Sequence, residues 1–154
     1  MRQFLVVATP GELDLPWADC MKSTHEIIVT GVGGANVIRA LKDLPRDSEI
    51  FNVGYCGSAH YPIGSTVWIR DCRLWHPNVN YTEPTFSLKD YGNVICLTAG
   101  DFVLDGTELP AHSVVDMELA YIAAFGFAKV SSVKFVSDNF SLMQYENTLR
   151  NGTK

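Results

Sequence analysis

Three observations in the sequence predict an α/β fold of three layers, αβα, with helices on both faces of a mixed central sheet. The first is a series of short unbroken apolar runs, Phe4–Ala8, Glu26–Thr30, Ile50–Val53, Asn93–Thr98 and Ser132–Val136. Runs of this length without polar alternation suit strands buried on both faces. The second is what separates them, glycine turns or stretches of helical spacing, as in layered α/β domains. The third is that acidic residues follow these runs, at the strand ends where open α/β sheets bind ligands. At 154 residues the chain reads as one domain, 1–154, long enough for a real core.

Composition narrows the function classes. Hydrophobic residues are 47% and charged residues 19%, and the net charge is -5 without a basic cluster. That argues against a nucleic-acid surface. Cys20, Cys56, Cys72 and Cys96 are widely spaced, with no CxxC or CxxH pattern, so reduced thiols are expected rather than zinc. No metal and no cofactor is called for. The start, MRQFLVVATPGELD, lacks a long apolar h-region and reads as a strand rather than a leader. No apolar run approaches the ~20 residues of a membrane span. A cytoplasmic protein with no membrane partner is the expectation.

The elements follow in order. Phe4–Ala8 meets the turn Thr9-Pro10-Gly11, and Glu12 comes next, at the carboxyl end of the first strand. A solvated loop carboxylate would look the same. Leu13 to Ser23, with Pro16 and Trp17, has no clear period and reads as loop with a helical turn. Glu26–Thr30 runs into Gly31-Val32-Gly33-Gly34-Ala35 and then a helical pattern over Asn36 to Leu44. Such glycines let backbone N–H groups approach an anion or hydroxyl, and serve equally for tight strand–helix packing. Asn36 stands where a dinucleotide loop needs a third glycine, and no Walker lysine is present.

Ile50–Val53 ends in Gly54-Tyr55-Cys56-Gly57-Ser58. A further strand is expected from about Thr66 to Trp75, with His76 behind it. Pro77 to Lys89 contains two prolines and reads as a loop. Asn93–Thr98 leads to Ala99-Gly100-Asp101-Phe102-Val103-Leu104, and a loop continues to Ser113. Val114 and Val115 suit a strand end. Asp116 to Phe127 has Met117, Ala120, Tyr121 and Ala124 at helical spacing, with Gly126 and Lys129 where its C-terminus would fall. Ser132–Val136 then ends in Ser137-Asp138-Asn139, so Glu118 and Asp138 are expected to face one crevice. A terminal helix is predicted over Ser141 to Leu149, with Leu142, Tyr145 and Leu149 on one face, and Asn151 to Lys154 as a frayed end.

Asp116-Met117-Glu118 before a small-residue helix, and a strand ending Ser137-Asp138-Asn139, resemble the purine nucleoside phosphorylase and methylthioadenosine/S-adenosylhomocysteine nucleosidase superfamily. Gly31-Val32-Gly33, the small-residue segment from Gly54 to Ser58, the strand start at Ile63-Gly64-Ser65 and Gly100-Asp101 match in family order, covering Met1 to Asn139. The resemblance implies a nucleoside phosphorylase-like fold, cleavage of an N-glycosidic bond, a small-molecule nucleoside as ligand and a homo-oligomer. It implies that Asp138 protonates the departing purine at N7 and that Glu12 activates water. Met117 and Glu118, beside Asp116, would grip the ribose, and Phe102 and Val103 would lie against the base. Gly31 and Gly33 would lie against ribose or nucleophile, with Tyr55 and Gly57 in the small-residue motif. Lys134 stands where the nucleosidases place an Arg, and would hold Glu12 or an anion as a point charge. His76 follows an aromatic residue, as a ligand-side His often does there.

The sequence departs from the pattern at Tyr55, where Ser is usual, at Asn52, where hexameric phosphorylases carry a phosphate-binding Arg, and at Ser65, where Asp is usual. The chain is also short for the family and reads as a shortened member, lacking strands between Glu12 and Gly31 and most of the C-terminal helix. A hydrolase using water is therefore the first expectation. A phosphate-dependent phosphorylase and a non-catalytic nucleoside-binding relative are the alternatives. Trp68, Trp75 and Tyr81 lie near the segment by which members complete a neighbour's pocket.

Overall fold

A computed structural model describes residues 1–76, 85–88, 92–100, 102–103 and 109–151. The strands are β1 (Gln3–Val7), β2 (Glu26–Val29), β3 (Glu49–Gly57), β4 (Thr66–Trp75), β5 (Thr85–Ser87), β6 (Val94–Ala99), β7 (Ser113–Asp116) and β8 (Lys129–Asp138). The helices are α1 (Pro16–Met21), α2 (Gly34–Leu41), α3 (Leu119–Ala123) and α4 (Leu142–Asn151), with a 3-10 turn over Pro10–Asp14.

All the apolar runs become strands, most of them covered on both faces, but β2 departs from expectation: it is the edge strand of the sheet, with Ile27 and Val29 exposed. In β1, Phe4 and Val6 join one core with Val37 and Leu41 of α2 and Leu119 and Ile122 of α3. Leu5 and Val7 alternate to the other face, against Leu15 and Ala18. Helices therefore flank a mixed sheet on both sides, as expected. β1 pairs in parallel with β2 and β3, and β3 with β8. β8 then meets β4 antiparallel, β4 meets β6 in parallel, and β6 meets β7 in parallel. β7 returns to β3 through the pair Gly57↔Val115. Five strands thus form a closed ring, and β1 and β2 extend it outward.

Several boundaries differ from the sequence expectation. β3 continues through Tyr55, Cys56 and Gly57, because β8 pairs with it along that length. β8 likewise runs past both ends of Ser132–Val136, and Lys129 opens it rather than ending a helix. The helix expected over Asp116 to Phe127 is only the five-residue α3. Asp116 ends β7, and Gly126, at φ 75, turns the chain toward β8. Leu13 to Ser23 contains α1, so the interval between Glu12 and Gly31 holds a helix and a strand. Within the expected loop after Pro77, Thr85–Ser87 pairs antiparallel with β4. Tyr81, Asp101 and Leu104 lie outside the described residues.

Candidate functional site

Four chain segments meet where β1, β3, β7 and β8 end. They line a pocket, open to solvent on one side, whose walls include Glu12, Tyr55, Gly57, Phe102, Val103, Asp116, Met117, Glu118, Asp138 and Tyr145.

Glu12 lies in the 3-10 turn after β1. Its Oε1 accepts the N–H groups of Ala8 at 2.7 Å and Thr9 at 3.0 Å, and its Oε2 accepts the N–H of Tyr55 at 2.7 Å. The turn opens with Pro10, and Glu12 reaches back to the residue preceding it, as in half of a capping box. Burial pushes the Glu12 carboxyl above its usual range, against the charge of Lys134 and those three amides. A Cβ at Gly54 would stand 2.8 Å from Glu12 Oε2, so β3 carries no side chain where the carboxylate approaches it.

Asp138 ends β8. Its Oδ1 accepts the Ser137 hydroxyl at 2.6 Å, and its Oδ2 accepts the Phe140 N–H at 3.0 Å. Phe140 reaches that donor position with φ 67, an uncommon conformation for a residue with a side chain. Asn139, adjacent in sequence, does not hold the carboxyl, and instead its Nδ2 donates to the carbonyls of Ser58 and Tyr61. A Cβ at Gly57 would stand 2.8 Å from Asp138 Oδ2 and 3.0 Å from the Phe140 ring. The two glycines of the β3 motif therefore make room for two different acids. Burial raises the Asp138 carboxyl, opposed by the Ser137 hydroxyl and the Phe140 amide.

Glu118 sits between β7 and α3, with its Oε2 2.8 Å from the N–H of Gly33, the residue that caps α2. A carboxylate at a helix N-terminus is favoured by the exposed amides and the helix dipole. Burial, and then the charge of Asp116, nevertheless push Glu118 up to about 7. Gly33 takes φ 91 to aim that N–H. That N–H is taken up by Glu118, and Gly33 is not among the pocket-lining residues. Gly31, at φ 89, donates its N–H to Ala8 and is not among the pocket-lining residues.

Asp116 and Lys134 also differ from expectation. The Asp116 side chain is 0% exposed, and accepts Thr98 Oγ1 at 2.6 Å, the Leu119 N–H at 2.8 Å and Lys134 Nζ at 2.9 Å. It is a structural anchor of α3, with no face of its carboxylate left for a sugar. Lys134 is 1% exposed and does not line the pocket. It pairs directly with Asp116, and its charge also acts on Glu12, as expected of a point charge, while backbone amides make the hydrogen bonds to Glu12. Burial alone would lower the Lys134 ammonium, but Asp116 and the further acids around it raise it, so it stays charged. Burial alone would raise Asp116, but Lys134, Thr98 and Leu119 hold it below the usual range. His76 is exposed and absent from the lining.

Sequence reasoning missed Tyr145 and Phe140, both of which line the pocket. Tyr145 was legible as an apolar-face residue of a terminal helix. The signal that α4 turns back over the strand ends is its position directly after the β8 acid.

No family model and no curated protein matches the sequence. Solved structures do. The Chlamydia trachomatis MTAN bound to MTA superposes with TM-score 0.74 at 18% identity, over 97% of this chain and 90% of that one. The 5'-methylthioadenosine/S-adenosylhomocysteine nucleosidase from S. pneumoniae, with a transition-state inhibitor, gives TM-score 0.75 at 16% identity, over 99% and 94%. Futalosine hydrolase of Helicobacter pylori gives TM-score 0.73 at 14% identity, over 99% and 92%. The chain has the fold of these nucleosidases, that of the nucleoside phosphorylase-like proteins.

Proposed function

We propose that a chain with this fold and this pocket cleaves the N-glycosidic bond of a purine nucleoside or a 5'-modified relative, with water as nucleophile. The observation that carries the reading is the convergence of Glu12, Glu118 and Asp138 on one pocket from three separate strand ends. Each is held by its own donors, and burial raises all three.

The chemistry assigns one task to each. As the C1'–N9 bond breaks, its electron pair moves onto the purine, and Asp138 delivers a proton to N7. Burial, which raises the Asp138 carboxyl, favours the protonated form that this role needs. Glu118, when ionised, accepts the 2'- and 3'-hydroxyls, and Met117 packs on the sugar. Glu12 takes a proton from the water whose oxygen bonds to C1' as the cation-like sugar collapses. Phe102 and Val103 lie along the base.

Water is favoured over phosphate for an electrostatic reason. Asn52, at the position of the phosphorylase Arg, is engaged within the fold. Its Nδ2 donates to Val6, and its Oδ1 accepts the Ser132 hydroxyl. Lys134 is neutralised by Asp116 at 2.9 Å. A phosphate would enter a pocket of carboxylates without a free cation among the described residues.

The test is incubation with adenosine, inosine, methylthioadenosine and S-adenosylhomocysteine, with and without phosphate, followed by detection of free base. Release without phosphate supports the hydrolase. Release only with phosphate supports the phosphorylase, and binding without release supports a non-catalytic relative. Self-association is part of the proposal. Trp17 at 39%, Ile27 at 44% and Val29 at 42% leave apolar surface open near Trp68 and the β2 edge. Sedimentation showing only monomer at about tens of micromolar would count against it.

A further inference from the structure

Glu118 stands at the N-cap of α3, but its side chain makes no capping hydrogen bond there; its Oε2 meets the Gly33 N–H instead. The first amides of a helix have no partner within it, and a helix of five residues is too short to hold itself. Two acceptors outside α3 serve its first two amides. The Leu119 N–H donates to Asp116 Oδ2 at 2.8 Å, and the Ala120 N–H donates to Thr98 Oγ1 at 2.9 Å. The Thr98 hydroxyl spends its own proton on Asp116 Oδ1 at 2.6 Å. Thr98 and Asp116 face each other across β6 and β7, and Thr98, Leu119 and Ala120 are all buried. These bonds close a ring from Thr98 to Asp116, on to Leu119 and Ala120, and back to Thr98. Lys134 Nζ, 2.9 Å from Asp116, ties that ring to β8.

Only Met117 and Glu118 lie between the anchored residues Asp116 and Leu119, and both line the pocket. Thr98 does not line it. We infer that Thr98 is a positioning residue for sugar recognition, its hydroxyl fixing the turn from Asp116 to Ala120 that aims the Glu118 carboxylate. The inference rests on the nucleoside reading given above, in which Glu118 accepts the 2'- and 3'-hydroxyls. Without the Thr98 hydroxyl, the buried Ala120 N–H has no acceptor and Asp116 Oδ1 loses its donor. The slack then falls on Met117 and Glu118. Hydrogen bonds weaken steeply with misalignment, and a binding group must be held to within about 0.5 Å. The effect is selective for the sugar. A nucleoside without the two hydroxyls draws no such bonds from Glu118 and is insensitive to Thr98.

The experiment compares adenosine with 2',3'-dideoxyadenosine, which lacks only those two hydroxyls, by calorimetry in the Asp138→Asn background. That background should prefer adenosine by about 10–100-fold, the range of a hydrogen bond to a charged group. Thr98→Val keeps the shape and should cut the preference by about 5-fold or more, weakening adenosine alone. Thr98→Ser restores the hydroxyl and should restore the preference. An equal loss for both nucleosides, an unchanged ratio in Thr98→Val, or no rescue by Thr98→Ser overturns the inference. If Thr98→Val does not fold, Thr98→Cys takes its place, with a similar shape and only a weak acceptor. Failure of both to fold also overturns the inference, because the hydroxyl then serves stability. Glu118→Gln is the control for the ribose reading. If it leaves the ratio unchanged, or adenosine does not bind, that reading falls and takes the inference with it. If it lowers the ratio and Thr98→Val does not, the inference falls alone.

Discussion

Lys134→Met is the most informative perturbation of the buried charges. Lys134 and Asp116 are 1% and 0% exposed at their side chains and 2.9 Å apart. At an effective dielectric near 20, unit charges at that separation attract by about 6 kcal/mol. Desolvation of two ions offsets most of this, so the pair contributes little relative to an apolar substitute. Removing one member is different, since it leaves Asp116 buried and unpaired, and should cost about 3–5 kcal/mol. That is a large part of the ~5–15 kcal/mol that holds a typical domain together. The pH dependence follows from the sign of each shift. The wild-type Asp116 is depressed, so its contribution is present above the unfolded carboxyl range and is lost as pH falls through its lower folded value. In Lys134→Met the burial penalty is unopposed by the ammonium and Asp116 rises instead. The deficit should then shrink toward acid pH, where Asp116 protonates. Urea unfolding at about pH 8 and about pH 5 measures both effects, and Asp116→Asn/Lys134→Met should recover most of the stability. A loss under about 1 kcal/mol in the single variant, or no recovery in the double, would refute the claim that the pair is a coupled buried unit.

Asp138→Asn removes the transferable proton while keeping size and polarity, so single-turnover base release should slow by about 10²–10⁴-fold with binding little changed; near-full release would sink the proposed acid. In its proposed role Glu118, pushed up to about 7, is ionised when it accepts the ribose hydroxyls, so the binding expected of it is present above that value and declines as pH falls through it. Titration calorimetry between about pH 6 and about pH 8 should show weaker nucleoside binding on the acid side, and Glu118→Gln should flatten the profile. Gly57→Ala places a Cβ 2.8 Å from Asp138 Oδ2 and 3.0 Å from the Phe140 ring, so kcat should fall more than stability, by at least the tenfold expected of a displaced acid. Parallel melting curves and turnover assays separate the two.

The strands β1 and β6 were legible in the sequence because a strand covered on both faces takes apolar side chains along its length, whereas β2, an equally apolar run, is an exposed edge strand. The acids at strand ends were legible too. Glu12 follows a turn, Glu118 follows Asp116-Met117, and Asp138 closes an apolar run, so each announces an end of a sheet where ligands gather. What the tertiary structure alone decided was which polar groups face inward. Ser131, Ser132 and Lys134 are buried in β8, where single-sequence polarity argues for a boundary. They are tolerated because distant residues satisfy them, as Asn52 does for Ser132 and Asp116 for Lys134. The same cause moved Asp116 from sugar contact to anchor, tied Gly33 to Glu118 across 85 residues of chain and set Tyr145 over the pocket. Hydrophobic periodicity records which faces avoid water, but a buried charge or hydroxyl is stable only beside its partner, and that partner is chosen by the closure of the ring of strands.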